Sequence, residues 1–320
     1  MYVNGHRAGH ANSELNLYNF GCQGCVGPSR PVWTLPDARR RLGGLVPGIT
    51  SLFRCAASYD GAVQQRLVVA WQHPVSRAIS PVAFLSYDGR VYQFTYIRNA
   101  QRVADFRPLL GFPGLDRAYC SADLFPLFAQ RAMDPRRPDF HRYIESLGLD
   151  GKPSPWEQIT RSEGHRQGDT IQLLPEPTVV GDELTCRFLV HGIRHAHDGP
   201  KILGGRRVQV TREQVENALT QLTRGDQLVL AAEPDNPRNK LALMVIGSGV
   251  PIGYVPDLLT EDVHELTRRA NATVTVEHVN GPRAPWHLRL LVCLRAAAPV
   301  GDFRFFTSER WQSLASASAQ

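Results

Sequence analysis

The chain has 320 residues, of which 42% are hydrophobic and 21% are charged, and its formal net charge is +6. This length is sufficient for two domains of about 100–150 residues, while no apolar run approaches the ~20 residues that span a bilayer. Six cysteines in so long a chain exclude a disulfide scaffold, and the positive charge favours a polyanionic partner over a membrane.

Residues 1–64 contain no hydrophobic period that lasts ten residues, and glycine and proline interrupt them repeatedly. We expect an irregular or partly disordered segment, and a cytoplasmic protein, because the charged-then-apolar layout of a signal peptide is missing. Two histidines and a Cys-x-x-Cys pair have zinc-finger-like spacing in reversed order: His6, His10, Cys22 and Cys25. Such ligands suit a structural Zn²⁺ that would order the segment, and free thiols are the alternative.

From residue 65 the pattern becomes that of a folded domain. An apolar run at 67–71 is typical of a buried strand, and Asp88-Gly89 joins two β-rich runs in the clearest hairpin signal of the chain. Two capped helices are predicted next, over 121–131 and 137–149. These elements predict a small α+β domain over 65–150.

This region resembles the N-terminal subdomain of HipA-type proteins, in which a hairpin precedes a Pro/Phe-containing segment and a helix that ends in a compact turn. The matching positions are Asp88, Gly89, Phe94, Tyr96, Pro108, Leu109, Phe112, Pro113, Leu124, Phe125, Phe128, Arg137, Leu147, Gly148 and Leu149. The resemblance implies a module that docks a protein partner. HipA proteins carry a kinase domain after this part, and no kinase motif follows here, so kinase activity is not implied.

Residues 151–181 are rich in Gly, Pro and charge, which predicts a linker, and residues 298–320 have too few large apolar residues to pack, which predicts a flexible tail. A second domain is predicted between them, over 182–297. It contains an alternating strand at 184–190 and a helix capped by Thr211. A second helix over 257–270 and strands over 273–279 and 287–294 complete its predicted elements.

The most specific pattern is a strand, an Asn-Pro turn, a second strand and a short Gly-Tyr strand. Its motif positions are Glu233, Pro234, Asn236, Pro237, Ala242, Val245, Gly253, Tyr254, Val255 and Pro256. In order, spacing and motif, residues 182–297 resemble a HIRAN domain, a small β-barrel-like module that in its best-known members holds the end of a single DNA strand. The resemblance implies a small OB/SH3-like barrel with two helices and a non-catalytic function in nucleic-acid binding.

In HIRAN domains that hold a DNA end, an Arg-aromatic pair ends the first strand, an aromatic-acid pair follows Asn-Pro, and a late basic or aromatic residue adds a contact. Arg194-His195 occupies the first place, with His for the aromatic, and Arg238-Asn239 occupies the second, without aromatic or acid. The residues that the resemblance assigns to nucleic acid are Arg194, His195, Arg238, Asn239, Lys240, Tyr254 and Arg289. Tyr254 as a core residue and Arg289 as plain surface are the open alternatives.

Other chemistries find less support. His191, His195 and His197 with Asp198 form a local cluster that would suit a metal-dependent nuclease. The sequence has no P-loop and no nucleophile elbow, so it indicates neither a helicase nor a hydrolase. We therefore expect a protein that grips single-stranded or frayed DNA ends, in DNA repair or phage defence. The alternative is a protein-interaction or regulatory component of a toxin–antitoxin or defence system, in which the basic charge is incidental.

Overall fold

The computed structural model describes residues 65–166, 168–298 and 300–315 of the chain. The segment 1–64, with the zinc ligands expected at His6, His10, Cys22 and Cys25, lies outside these ranges. Within them, the predicted α+β class is confirmed, because antiparallel sheets are combined with a few short helices. No helix among the described residues has the length and apolar character needed to cross a membrane.

The first sheet has five antiparallel strands in the order β4-β3-β2-β1-β5. The elements of this part are β1 (Gln65–Gln72), β2 (Ile79–Tyr87), β3 (Tyr92–Tyr96), β4 (Ala118–Ser121), α1 (Pro126–Ala129), α2 (Phe140–Ser146), α3 (Pro155–Ser162) and β5 (Ile171–Pro175). The predicted hairpin is β2–β3, whose turn forms because Asp88 Oδ1 accepts the backbone N–H groups of Arg90 and Val91, each at 2.8 Å. Phe128, Trp156 and Ile159 of α1 and α3 are buried against this sheet.

The helices of this part are shorter than predicted. Over 121–131 only the single turn α1 is helical, and it starts at Pro126, whose ring presets the first helical position. Over 137–149 the helix α2 starts at Phe140 and ends at Ser146, after which Gly148 adopts a φ of +64°. The Leu149 N–H donates to the Ile144 carbonyl at 3.1 Å and so closes the helix end.

The second sheet has seven antiparallel strands in the order β12-β11-β10-β13-β14-β7-β6. The elements of this part are β6 (Thr178–Val180), β7 (Glu183–Leu189), β8 (Lys201–Leu203), β9 (Arg206–Val208), α4 (Arg212–Gln221), β10 (Gln227–Ala232), β11 (Leu243–Gly247), β12 (Val250–Tyr254), α5 (Asp257–Arg269), β13 (Ala272–Val279) and β14 (Leu290–Ala297). Strands β8 and β9 form a separate hairpin, and α4 begins at a Thr211–Gln214 capping box. Apolar side chains of α4 and α5 are buried in the core of this sheet.

The expected barrel is not closed by a strand ladder. One isolated bridge, between His191 and Tyr254, joins the chain beyond β7 to the end of β12. Pairing stops there because Gly192, at a φ of +64°, turns the chain into the 3₁₀ helix Ile193–His195. The second sheet is therefore an open antiparallel sheet, in which the His191–Tyr254 bridge joins the chain after β7 to the edge strand β12.

The predicted linker and the predicted flexible tail both contain packed elements among their described residues. The segment 151–181 contains α3, which starts at a Ser154–Glu157 capping box, and β5, which pairs with β1 from Trp71–Ile171 to Leu67–Pro175. In the segment 298–320, four aromatic side chains are buried in the core of the second sheet: Phe303, Phe305, Phe306 and Trp311. That core also includes Val68, Phe84 and Ile97 of the first sheet, so the two sheets pack against each other and the described residues belong to one compact unit.

Candidate nucleic-acid interface

Tyr254 connects the two loops that carry the predicted cations. Its backbone exchanges two hydrogen bonds with His191, at 2.9 and 2.8 Å. A Cβ atom on Gly192 would lie 3.0 Å from Tyr254 Cδ2, so the ring passes directly beside the first loop. At its other end the Tyr254 hydroxyl donates to Glu233 Oε2 at 2.9 Å. The ring thus reaches from the loop after β7 to the loop after β10.

Burial and the neighbouring Glu233 keep the Tyr254 hydroxyl protonated. Burial is the largest cause that raises the pKa of Tyr254, and the hydrogen bond and negative charge of Glu233 raise it further. The hydroxyl therefore remains a donor to the carboxylate throughout the physiological range.

The second loop, residues 233–242 (the Asn236 loop), is organised from within. Glu233 is 5% exposed, and its Oε2 also accepts the Asn236 side-chain amide at 2.8 Å. Asn236 Oδ1 in turn accepts the backbone N–H groups of Arg238, at 3.0 Å, and Asn239, at 3.2 Å. This Asx turn fixes the backbone from which Arg238 extends. Asn236 therefore serves the turn.

Asn239 anchors the same loop to α5. Its amide nitrogen donates to Asp257 Oδ1 at 2.9 Å and to Thr260 Oγ1 at 3.3 Å, and its Oδ1 accepts the Leu241 N–H at 2.9 Å. Since the nitrogen and the oxygen of this amide both make intramolecular hydrogen bonds, Asn239 holds the loop in place and is poorly suited to contact a ligand. Its neighbours Arg238 and Lys240 are both exposed.

On the first loop, Arg194 and His195 are exposed, while Ile193 between them and the sheet is buried. Arg194 Nε donates to His195 Nε2 at 2.9 Å, and His195 Nδ1 lies 2.6 Å from Asp198 Oδ2. Because Nε2 accepts from arginine, the imidazole proton is assigned to Nδ1 and points to Asp198. The hydrogen bond from His195 is the main cause that lowers the pKa of Asp198. The imidazole is thereby fixed beside the Arg194 guanidinium.

Arg289 does not join this surface. The sequence allowed it an exposed place on its strand, but its side chain is 1% exposed. Its Nη1 and Nη2 donate to the two carboxylate oxygens of Glu216 at 3.0 and 2.8 Å, and its Nε donates to the Asn280 carbonyl at 3.0 Å. The guanidinium also lies over the Trp286 ring, 5.4 Å from its centre. Arg289 ties α4 to the start of β14.

The histidine cluster expected for a nuclease is not assembled. His191 Nε2 lies 2.8 Å from the buried Glu163 Oε2, His195 faces Asp198, and His197 is 3.8 Å from Asp198. Burial lowers the pKa of His191, but the charge and hydrogen bond of Glu163 outweigh it and the net shift is upward. Across the described ranges, no three His, Cys, Asp or Glu side chains are grouped as metal ligands would be.

Two residues that matter to this geometry were missed by sequence reasoning. Glu233 was treated only as part of a motif, although it is the acceptor that joins Tyr254 to Asn236. Gly192 was not singled out, although a side chain there would meet the Tyr254 ring. A buried acid that precedes an Asx turn and a glycine that follows a strand were the available signals.

Comparison with protein-family models and with curated proteins found no match. Among solved structures, a protein from Lactobacillus plantarum is 18% identical over 38% of this chain and 96% of its own length, with a TM-score of 0.26. The HIRAN domain of human HLTF is 15% identical over 37% of this chain and 80% of its own length, with a TM-score of 0.23.

Proposed function

We propose that this chain is a non-catalytic nucleic-acid-binding protein that grips single-stranded or frayed DNA through the surface around Tyr254. The observation that carries the proposal is the Tyr254–Glu233 hydrogen bond, which holds two cation-bearing loops side by side. Arg194 lies on one loop, and Arg238 and Lys240 lie on the other. Cations at fixed positions suit a chain of phosphates, and the net charge of +6 favours the same class of partner.

Each side chain has a separate role in this proposal. The Nε–H of Arg194 donates to His195, so its two terminal nitrogens are free to donate to a phosphate. Guanidinium groups bind phosphate oxygens through two parallel hydrogen bonds. The exposed face of the His195 ring is available for stacking on a base. Arg238 stacks on a second base or clamps the next phosphate, and Lys240 adds a point charge.

Affinity should therefore depend more on phosphates than on an end-specific pocket. The Asn236 loop has neither the aromatic nor the acid expected in HIRAN domains that hold a DNA end, and aromatic stacking contributes about 1–3 kcal/mol per base. His195 is the ring that takes part of this role. A preference for free ends remains part of the proposal, as does a setting in DNA repair or phage defence.

Fluorescence anisotropy tests the proposal with three DNAs: a single strand with a free 3′ end, a 3′-blocked strand and a blunt duplex. Each is titrated with the full chain at two salt concentrations. We expect the tightest binding to the free-ended strand and a steep loss of affinity with salt. Equal binding to all three would contradict end preference, and no binding to any of them would contradict the proposed function.

The matched variants are Arg238→Ala and Arg90→Ala, which remove the same charge from two exposed positions. Arg90 lies in the β2–β3 turn of the first sheet, whereas the Asn236 loop joins two strands of the second sheet. We expect Arg238→Ala to weaken binding by about 1–3 kcal/mol, the scale of one stacked base, and Arg90→Ala to leave it unchanged. Equal effects of the two substitutions would remove Arg238 from the interface.

The protein-interaction alternative predicts a different outcome in the same preparation. A regulatory component of a toxin–antitoxin or defence system would copurify with a protein partner after nuclease treatment, and it would show no salt-dependent DNA binding. The HipA-like region at 65–150 is the proposed docking module in that case. A partner that copurifies after nuclease treatment of the lysate therefore distinguishes the protein-interaction function from DNA binding.

A further inference from the structure

A second basic cleft lies at the other end of β10 from the Asn236 loop. It has a volume of about 300 Å³ and is lined by Gly148, Arg161, Arg224, Glu277, His278 and Val279. Arg224 precedes β10, whereas the Asn236 loop follows it. At about 3.3 Å per residue, this six-residue strand separates the two places by roughly 20 Å. The cleft is thus distinct from the interface around Tyr254.

The carboxylate in this cleft is already satisfied. Arg161 Nη1 donates to Glu277 Oε1 at 2.5 Å, and Arg187 Nε donates to Glu277 Oε2 at 2.7 Å. Burial alone would raise the pKa of Glu277, but the hydrogen bond from Arg161 and the charges of both arginines lower it, so it is ionised. One carboxylate therefore faces two guanidinium groups before Arg224 is considered. The excess charge of the cleft is positive.

Arg224 provides the cation that is not neutralised. It is exposed, and among the described residues its guanidinium has no hydrogen bond and no ion pair. Its position is nevertheless fixed, because the Gly225 N–H donates to the Val276 carbonyl at 2.9 Å. The nearby Asp226 carboxylate accepts the Thr223 N–H at 2.7 Å, within the same turn. A rigid backbone thus presents five unused N–H donors at the cleft.

We propose that this cleft is an anion site that takes a phosphate group, either of a free nucleotide or of a nucleic-acid strand. Arg224 and the remaining donors of Arg161 would bind the phosphate oxygens, since planar guanidinium groups match them in pairs. The volume of about 300 Å³ is at the lower limit of small-molecule sites, and the charged lining disfavours an apolar ligand.

The strand version rests on the proposed function, whereas the nucleotide version does not. A separation of roughly 20 Å corresponds to about six stacked nucleotides at 3.4 Å each. A strand held at Tyr254 would therefore reach the cleft only when it is longer than that. Strand length becomes the variable that distinguishes the two sources of the phosphate.

Isothermal titration calorimetry of the full chain with AMP and with adenosine tests the nucleotide source. The variants are Arg224→Glu and the control Arg90→Glu, both at exposed positions, with circular dichroism to confirm folding. If the phosphate is that of a free nucleotide, AMP binds and adenosine does not, and Arg224→Glu weakens AMP at least about tenfold, as expected for loss of a charge-assisted bond. Equal binding of adenosine and AMP would exclude a free nucleotide as the source of the phosphate.

Anisotropy with strands of about 4 and about 12 nucleotides tests the strand source. If the phosphate belongs to a strand, Arg224→Glu weakens the longer strand at least about tenfold and leaves the shorter one unchanged, while Arg90→Glu affects neither. AMP binding that depends on Arg224 would support the cleft even if no DNA binds. The proposal is overturned if Arg224→Glu changes neither AMP nor long-strand binding relative to Arg90→Glu.

Discussion

At the residue scale, the arginines of this chain fall into two groups that charge alone does not distinguish. Arg131 and Arg289 are buried and paired with Asp169 and Glu216, and both tie elements of the fold together. Arg238, by contrast, is exposed in a loop whose backbone is held by Asn236. The first group supports stability and the second is available to a ligand.

Substitution of Arg289 by Met separates these roles. We expect Arg289→Met to lower the free energy of unfolding by about 3–5 kcal/mol, because Glu216 keeps a half-buried charge without its partner. Urea denaturation measures this loss. Arg289→Met combined with Glu216→Leu should recover much of it. If Arg289→Met instead weakened DNA binding by the folded protein, Arg289 would belong to the interface after all.

Asp262 makes stability depend on pH. Burial raises the pKa of this α5 carboxyl to about 6, against the hydrogen bond from the Phe306 N–H at 3.1 Å. The folded state therefore holds a proton that the unfolded state has lost between its ordinary pKa of 3.8 and about 6. The stability that this proton provides is present at low pH and lost as the pH rises through 6.

Substitution of Asp262 by Asn tests this dependence. Asn keeps an acceptor for the Phe306 N–H without the buried charge, so we expect Asp262→Asn to raise Tm near neutral pH. A gain of ~1 kcal/mol corresponds to about 2–4 °C in a chain of this size. The gain should shrink as the pH is lowered toward 4. Calorimetry at both pH values measures it, and an equal gain at both would contradict the assignment.

The residue scale also shows how far the site could be predicted. Sequence reasoning selected Arg194, His195, Arg238 and Lys240, all of which are exposed. It could not separate them from Arg289, because burial of that arginine depends on Glu216, 73 positions away in the chain. Long-range pairs of this kind leave no local pattern.

At the element scale, the sequence predicted those elements whose turns and caps are held by hydrogen bonds between residues close together in the chain. The Asp88 turn of β2–β3 and the Thr211 cap of α4 are examples, because their hydrogen bonds join residues at most three positions apart. Strand β5 was missed for the opposite reason, since its partner β1 lies about a hundred residues away. The packing of the tail was not predicted, because its aromatic residues follow neither helical nor strand periodicity.

Trp311 makes the tail a part of the core. The centre of its ring lies 4.3 Å from the centre of the Phe306 ring and 6.0 Å from that of Phe84 in the first sheet. We expect Trp311→Ala to lower the free energy of unfolding by about 3–5 kcal/mol, as for other buried aromatic residues. The control is Thr307→Ala, which truncates an exposed side chain of the same segment. Similar urea midpoints for the two variants would contradict a packed tail.

At the scale of the whole molecule, the two sheets share an interior. Val68 and Phe84 of the first sheet lie in the same apolar cluster as Val292 of the second and Trp311 of the tail. The chain was expected to contain two domains joined by a linker, but the segment between them supplies β5 and α3. Sequence patterns cannot show that apolar residues of one set of elements pack into the core of the other, because each set is amphipathic by itself.

We therefore expect the described part to unfold in one transition. Tryptophan fluorescence reports on both regions, through Trp71 and Trp156 in the first and Trp286 and Trp311 in the second. Its urea curve should coincide with that of far-ultraviolet circular dichroism. The fragment 182–297, which lacks the first sheet and the tail, should not fold cooperatively. Two separate transitions, or a stable fragment, would indicate independent domains.

The salt dependence of DNA binding tests most directly whether the two loops at Tyr254 form one interface. For a single strand, each neutralised phosphate contributes about 0.7 to the slope of log K against log salt. We predict that Arg194→Ala combined with Arg238→Ala lowers the slope by about 1.4 if both arginines bind phosphates, and by about 0.7 if Arg238 stacks on a base. The control, Arg90→Ala with Arg107→Ala at two exposed positions outside the two loops, leaves the slope unchanged. An unchanged slope in the first double variant, or an equal fall in both, would contradict the interface.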